Sequence, residues 1–236
     1  MRKQRPSSII AGDSAASCLR AKLGPLVEEV SARSQLMAEH PNPRAMYRAL
    51  LELMYSEVRA TVPLMVAAEH RAVELAAEGD AVADAMIAWL RLHIGEEADH
   101  AAWILGDYAQ VGGDPEAVKV RPGSPTIAAL VGSVYYWTLH AHPVAILGYC
   151  AVLEGYPPSR TFIEQMIHAT GFTEEAFGTL VHHSTIDVHH GGEVFELIDR
   201  LQLGARQQAV IGMTALQTAD LLIVAGDELL RSLDEP

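Results

Sequence analysis

A long stretch in the middle of the chain contains no Asp, Glu, Lys or Arg and runs from Pro122 to Leu153. About 20 consecutive apolar residues are enough to cross a lipid bilayer. This stretch, however, also contains two histidines, adjacent tyrosines, several hydroxyl side chains and an internal proline, Pro143. A helix that other helices surround is likewise apolar on all sides. The stretch therefore predicts a buried central helix of an all-α protein and no membrane association.

The composition is that of an ordinary folded domain. Half of the 236 residues are apolar and 20% are charged, which excludes disordered and collagen-like chains. The net charge of −13 disfavours nucleic acids and anionic membranes as partners, since both bind basic surfaces. The two cysteines, Cys18 and Cys150, cannot build a disulfide scaffold. Because the N-terminal segment has no apolar run of signal-peptide length, we expect a cytoplasmic protein.

Signals for helix starts and stops recur along the chain, whereas strand signals are absent. Asn42-Pro43 and Ser124-Pro125 each combine an N-cap residue with proline at the first helical position. The apolar periodicity predicts one all-α domain over 15–236, preceded by a flexible arm over 1–14. The seven predicted helices cover residues 15–38, 43–77, 81–111, 125–154, 159–170, 174–202 and 205–233.

The third predicted helix carries histidine and carboxylate side chains on one face. His93, Glu97 and His100 have i, i+4, i+7 spacing. At 100° per residue their side chains fall within about 60° of one another. Imidazole together with carboxylate suits iron or manganese, and a Glu-x-x-His pair facing a second helix is typical of di-iron bundles. The pattern indicates a metal-binding face.

The sixth predicted helix repeats this pattern. His183, Asp187 and His190 again have i, i+4, i+7 spacing, so they are predicted ligands on a second helix. A competing stripe, His182 and His189, lies about 100° round the same helix and has no carboxylate between its members. We therefore interpret His182 and His189 as residues that support the ligands or face solvent.

Charge balance in the predicted metal centre requires a third carboxylate. Two ferrous ions would carry four positive charges, against the two negative charges of Glu97 and Asp187, and buried cations need counter-charge. Glu154 follows the uncharged stretch directly, so its neighbours are expected to be core residues. It is the natural candidate for the third acidic ligand.

At these residues the sequence resembles the heme-oxygenase-like di-iron oxidases and oxygenases, in the superfamily of TenA-type thiaminases and pyrroloquinoline-quinone synthase. The helical layout is similar over about 15–233, and the more specific likeness begins at Glu97-x-x-His100 with Trp103 and Asp107 following. The resemblance implies a seven-helix heme-oxygenase-like bundle, two Fe²⁺ ions per chain and O2 as co-substrate. The ligands that it implies are Glu97, His100, Glu154, His183, Asp187 and His190.

The sequence departs from this family at one position. Many members place a glutamate seven residues before the first ligand histidine, where this chain has His93. His93 is therefore an extra ligand or a residue that supports the ligands. Glu96 and Glu69 are further carboxylates that could join the site.

The resemblance also implies an activity and an assembly. Relatives use O2 to oxidise small substrates with an amine or a carboxylate, such as amino acids or fatty acids, by C–C cleavage, desaturation or N-oxygenation. We expect the same class of reaction, and a homodimer. Aromatic and aliphatic residues of the uncharged stretch are interpreted as the substrate pocket: Tyr135, Tyr136, Trp137 and Ile146.

Two other functions fit parts of the sequence. A TenA-like hydrolase without metal would use Cys150 as its nucleophile, with Glu154 one helical turn away to carry protons. An iron-binding or ferroxidase bundle would want a second Glu-x-x-His pair, where the sixth helix has Asp-x-x-His. The hydrolase alternative leaves both histidine-rich faces unexplained.

Overall fold

The computed structural model describes residues 14–234, except for the side chains of 186–189 and 234. The predicted arm thus lies outside the described residues, apart from Ser14. Every regular element in the described range is a helix, which confirms the all-α fold class. The helices are α1 Ala15–Ala38, α2 Pro43–Ala77, α3 Ala81–Glu96, α4 His100–Gln110, α5 Pro115–Val120, α6 Pro125–His140, α7 Ala145–Leu153, α8 Arg160–Thr170, α9 Gly178–Arg200 and α10 Ala205–Asp234, with a 3₁₀ turn at Glu174–Phe177.

Local capping explains where several helices begin. The Asn42 side chain accepts a hydrogen bond from the Ala45 N–H at the start of α2, over 3.3 Å. The Ser124 hydroxyl accepts one from the Ile127 N–H at the start of α6, over 3.1 Å. Each side chain satisfies a backbone donor that the first turn leaves without a partner. The two starts predicted from Asn-Pro and Ser-Pro are confirmed.

Two of the predicted helices are divided, and the prediction that each is continuous was wrong. The segment over 81–111 is interrupted at 97–99, and the segment over 125–154 is interrupted at 141–144. In the second case Pro143 has no N–H to donate, and the His142 ring accepts the Val144 N–H instead, over 3.1 Å. The turn at 97–99 contains no glycine or proline, so no local sequence signal marks it.

The uncharged stretch is only partly a central helix. All eight residues from Ala145 to Val152 in α7 are buried, between α2, α6, α9 and α10. By contrast, α6 buries one face and exposes Tyr136 and Leu139 on the other. The prediction of a central buried helix is therefore confirmed for α7 alone.

By length and composition, α10 could cross a membrane; it is the one such helix in the described part of the chain, with a mean hydropathy of 1.6 in its apolar window. Half of that window is buried inside the molecule, where α10 packs on α1, α6 and α7. A core helix meets the same criteria, so this finding is weak evidence for a membrane span.

Candidate metal centre

The predicted ligands whose side chains the structure describes come together where three parts of the fold meet: the end of α3 with the turn that follows it, the C-terminal end of α7 and the middle of α9. The described side chains form two groups of three. The first, the His93 group, consists of His93, Glu154 and His190. One potential ligand atom from each of these residues lies within 4.8 Å of the others. The set is buried or nearly so, which is typical of a site that encloses a cation.

His93 is held by carboxylates on both sides of its ring. Its Nε2 lies 2.9 Å from Glu154 Oε2, and its Nδ1 lies 3.1 Å from Glu96 Oε2. Burial lowers the pKa of His93, but the hydrogen bond and charge of Glu154, with the charge of Glu97, outweigh it and raise the pKa to about 9. The Trp89 ring stacks on the imidazole at 4.6 Å between centroids. The ring is thus fixed in place at the edge of the group.

The second set, the His100 group, consists of Glu97, His100 and His183. His100 Nδ1 lies 2.9 Å from Glu97 Oε2 and 3.2 Å from His183 Nε2. The hydrogen bond from His100 keeps the pKa of Glu97 below its usual value, although burial acts in the opposite direction. Two segments of the chain thus meet at His100 Nδ1, which contacts a carboxylate oxygen on one side and an imidazole nitrogen on the other. A metal ion there would take over the lone pairs that these contacts now use.

Backbone contacts orient His183. Its Nδ1 lies 2.9 Å from the carbonyl oxygen of Thr179, so an N–H at Nδ1 donates to that oxygen and the lone pair is left on Nε2. Thr179 is fixed in turn, because the Asp107 carboxylate of α4 accepts its N–H over 2.7 Å. Burial and the neighbouring His100 lower the pKa of His183 to about 4. The ring is therefore neutral at physiological pH, as a metal ligand must be.

A close backbone approach brings α9 against the end of α7. A Cβ added at Gly191 would lie 2.5 Å from the Glu154 carbonyl oxygen and 2.8 Å from Gly155 Cα. Only glycine fits at this distance. Because Gly191 directly follows His190, the approach sets how near His190 comes to Glu154.

An elongated cavity of about 730 Å³ opens beside both groups. Its walls come from α1, α2, α10 and the segment after α7, and are largely aliphatic. Four of the predicted ligands are on its wall: Glu97, His100, Glu154 and His183.

The four residues that the sequence suggested for the substrate pocket do not line this cavity, and their part in substrate binding stays a prediction. Ile146 is fully buried within α7, and Tyr135 packs against the core. Tyr136 is 56% exposed, and the Trp137 indole N–H donates to Gln217 over 3.0 Å.

Sequence reasoning missed a buried acid on the cavity wall, Glu57 of α2. Burial raises its pKa to about 7, and the neighbouring charges of Glu97 and Glu154 act in the same direction. It accepts a hydrogen bond from the Tyr149 hydroxyl, which also contacts the Thr61 hydroxyl over 2.8 Å. A signal was present: Glu57 and Thr61 occupy positions on the otherwise apolar stripe that α2 buries.

The remaining predicted residues differ in their relation to the two groups. His182 is exposed and contacts the Trp103 ring edge-on at 4.7 Å. Glu96 reaches His93, whereas Glu69 binds Arg91 over 2.8 Å on the opposite side of α3 and does not join the site. Asp187 and His189 belong to α9, but their side chains are outside the part that the structure describes.

Comparison with known proteins decides the family. The family model described as "Iron-containing redox enzyme" matches residues 48–222, well over half of the chain. The chain belongs to this family. The match covers every residue of the two groups.

Solved structures agree on the fold of this iron-containing redox enzyme. A domain of unknown function with a heme oxygenase-like fold from Shewanella denitrificans OS217 superposes with a TM-score of 0.70 and 18% identity, over 93% of this chain and 90% of that one. A TenA homolog from Pseudomonas syringae pv. tomato DC3000 also gives 0.70, at 15% identity, over 98% and 99%. No curated protein sequence matches the chain. The heme oxygenase-like fold is confirmed.

Iron fits the residues present in this enzyme. The two groups offer four imidazoles and two carboxylates without a thiolate, a donor set that suits iron or manganese. Cys150, the nucleophile of the hydrolase alternative, is fully buried and does not line the cavity. Burial raises the pKa of its thiol well above the usual value, and Glu154 adds to the effect. Such a thiol is a poor nucleophile.

Proposed function

We propose that this iron-containing redox enzyme is a non-heme di-iron oxidase or oxygenase that uses O2 to oxidise a small substrate bearing an amine or a carboxylate. One observation carries the proposal: two adjacent groups of imidazole and carboxylate side chains reach one cavity, the His100 group with all three members and the His93 group through Glu154. Each group offers three ligands for one ion. Asp187, on the same helix as His183 and His190, is proposed as a further ligand.

The chain's own residues would divide the work as follows. Glu97, His100 and His183 would hold one ion, and His93, Glu154 and His190 the other. Ferrous iron, when bound, supplies the electrons for reduction of O2. The aliphatic walls of the cavity bind the substrate next to the ligands and exclude bulk water.

The test is metal stoichiometry followed by oxygen exposure. Metal-free protein is loaded anaerobically with ferrous ion, freed of excess metal and assayed for iron per chain. We expect close to two irons, and O2 consumption that a bound substrate accelerates. Retention of no iron by protein with an unchanged helical circular dichroism spectrum would overturn the proposal.

Zinc provides a control for the metal. Zn²⁺ binds imidazole and carboxylate ligands but has no redox chemistry. Zinc-loaded protein should therefore consume no O2. Equal O2 consumption by the zinc and iron forms would contradict a role for iron.

A further inference from the structure

Glu57 is a buried acid that the two ligand groups leave unused. It is 7% exposed and lies on the wall of the cavity together with Glu97, His100 and Glu154. A carboxylate is rarely removed from water unless a partner compensates its charge. Its place between an aliphatic wall and the candidate metal centre therefore calls for a partner.

The protein supplies Glu57 with neutral hydrogen-bond donors only. The Tyr149 hydroxyl donates to Glu57 Oε1, and the Thr61 hydroxyl lies 2.8 Å from the Tyr149 oxygen behind it. Tyr149 is fully buried, so both hydrogen bonds lie in the protein interior behind the cavity wall. Hydrogen bonds from neutral hydroxyls do not offset the cost of burying a negative charge.

The other charged side chains on the cavity wall already have partners: the two acids contact histidines, and the arginine contacts carboxylates. Glu97 is hydrogen-bonded to His100, and Glu154 to His93. Arg33 is the one lysine or arginine among the described residues that line the cavity, and it binds Asp227 over 3.0 Å as well as Glu29. Within the described part of the chain, Glu57 forms no ion pair. A cation in the cavity would supply this missing positive charge and favour the ionised form of Glu57, whose pKa burial raises to about 7.

The length and lining of the cavity indicate the chemical nature of the rest of that occupant. Residues of α2 line it from Leu50 to Thr61, which corresponds to about 16 Å at 1.5 Å per residue. The side chains between these ends are apolar except for Glu57, and the α10 residues on the wall are apolar as well. The α1 wall is mixed, with apolar side chains beside the polar Ser31, Arg33, Ser34 and Gln35. A hydrocarbon chain would displace water from this wall at a favourable free energy.

We propose that Glu57 binds the ammonium group of an aliphatic primary amine whose hydrocarbon chain fills the cavity. The inference rests on the proposed function only in that the bound amine then lies beside the metal ligands. A carboxylate head group at this end would meet three acidic side chains: Glu57, Glu97 and Glu154. Glu57 is thus a specificity-determining residue that selects amines over acids.

The test measures binding to metal-free protein by isothermal titration calorimetry. Octylamine, 1-octanol and octanoate share one chain length and differ in head-group charge. We expect octylamine to bind most tightly to the unmodified protein. Glu57→Gln should weaken octylamine binding by about thirtyfold, as expected for loss of a buried charge partner, and leave 1-octanol unchanged.

A matched control comes from the same helix. Glu52 of α2 also accepts a tyrosine hydroxyl, from Tyr108, but does not line the cavity. Glu52→Gln should therefore leave octylamine binding unaltered. Glu57→Asp keeps the charge and should keep the preference for octylamine over octanoate.

Three results would overturn the inference: tighter binding of octanoate than of octylamine, equal losses for all three compounds in Glu57→Gln, or an equal effect of Glu52→Gln. The comparison of octanoate with octylamine uses the unmodified protein, so it tests the proposal even if the Glu57→Gln variant fails to fold. Iron content distinguishes failure of the proposed function from failure of this inference. Iron is measured separately, and Glu57→Gln should retain as much iron as the unmodified protein.

Discussion

The two ligand groups are built from the same kinds of side chain, yet they differ in how ready they are for a metal. In the His100 group, burial and the neighbouring His100 keep His183 neutral, and its contact with the Thr179 carbonyl oxygen leaves the Nε2 lone pair towards His100. In the His93 group, carboxylates flank both nitrogens of His93 and raise its pKa to about 9, so this ring carries a proton at neutral pH. The first group is prepared for a cation, whereas the second already contains a positive charge.

This difference shows that ligand identity alone does not determine affinity. A metal that enters the His93 group must displace a proton, but His183 of the other group has none to lose. We therefore expect the His100 group to fill first and to hold its ion more tightly. Four predictions break or sharpen this comparison, from the largest expected effect to the smallest.

Removal of one histidine from each group should separate the two ions. His183→Ala should empty the His100 group and His190→Ala the His93 group, so each variant retains close to one iron per chain. The iron that remains in His190→Ala should be the tighter one, by at least about tenfold. Anaerobic iron titration measures both values. Two irons in either variant would refute the ligand assignment.

Gly191→Ala should damage the His93 group through the backbone. The added methyl would lie 2.5 Å from the Glu154 carbonyl oxygen, which must move or push α9 away. We expect a loss of about 1–3 kcal/mol in the free energy of unfolding and loss of the weaker iron. Gly192→Ala, where a Cβ meets nothing within 4 Å, is the control. Chemical denaturation and iron content report the outcome, and equal behaviour of the two variants would contradict it.

The pH dependence should differ between the groups. Because the folded pKa of His93 is raised from 6.5 to about 9, its proton stabilises the metal-free fold fully below pH 6.5, and this contribution is lost as pH rises through about 9. Metal binding has the opposite trend, since the proton must leave. Affinity of His183→Ala for Mn²⁺ should therefore rise by up to about tenfold per pH unit between pH 6 and 8.

His190→Ala, which keeps the His100 group, supplies the reference for that experiment. The pKa of His183 is about 4, so its ring is already neutral across this range. The Mn²⁺ affinity of His190→Ala should vary less with pH than that of His183→Ala. Parallel pH profiles in the two variants would show that His93 does not set the difference.

His182→Ala should have the smallest effect. The side chain is exposed and touches Trp103, outside both groups. Iron content should stay within error of the unmodified protein, and the free energy of unfolding within about 0.5 kcal/mol. A lost iron would place His182 among the ligands and redefine the His100 group.

Much of the fold could be read from the sequence because its signals are local. Asn42 and Ser124 cap helices with their own side chains, and the uncharged composition of α7 reports its burial directly. The turn at 97–99 could not be read, since it contains neither glycine nor proline.

The sequence predicted which residues belong to the candidate site better than it predicted which side chains they contact. Helical spacing selected Glu97, His100 and His183, which meet in the structure. The same spacing placed His93 beside Glu97. In the structure α3 ends at Glu96, and His93 contacts Glu154 instead. The role of Glu57 depends on Tyr149, 92 residues later in the chain, which no local pattern reveals.

The contact between Gly191 and Glu154 separates what in this molecule is fixed from what is adjustable. It joins backbone to backbone, so no change of rotamer alters the span between α7 and α9. Much of the cavity wall, by contrast, is formed by α1, α2 and α10, which carry none of the six ligands that the resemblance implies. Substitutions there can reshape the chamber while the ligand frame stays in place. A lineage, or an engineer, could therefore exchange the guest molecule without rebuilding the metal centre.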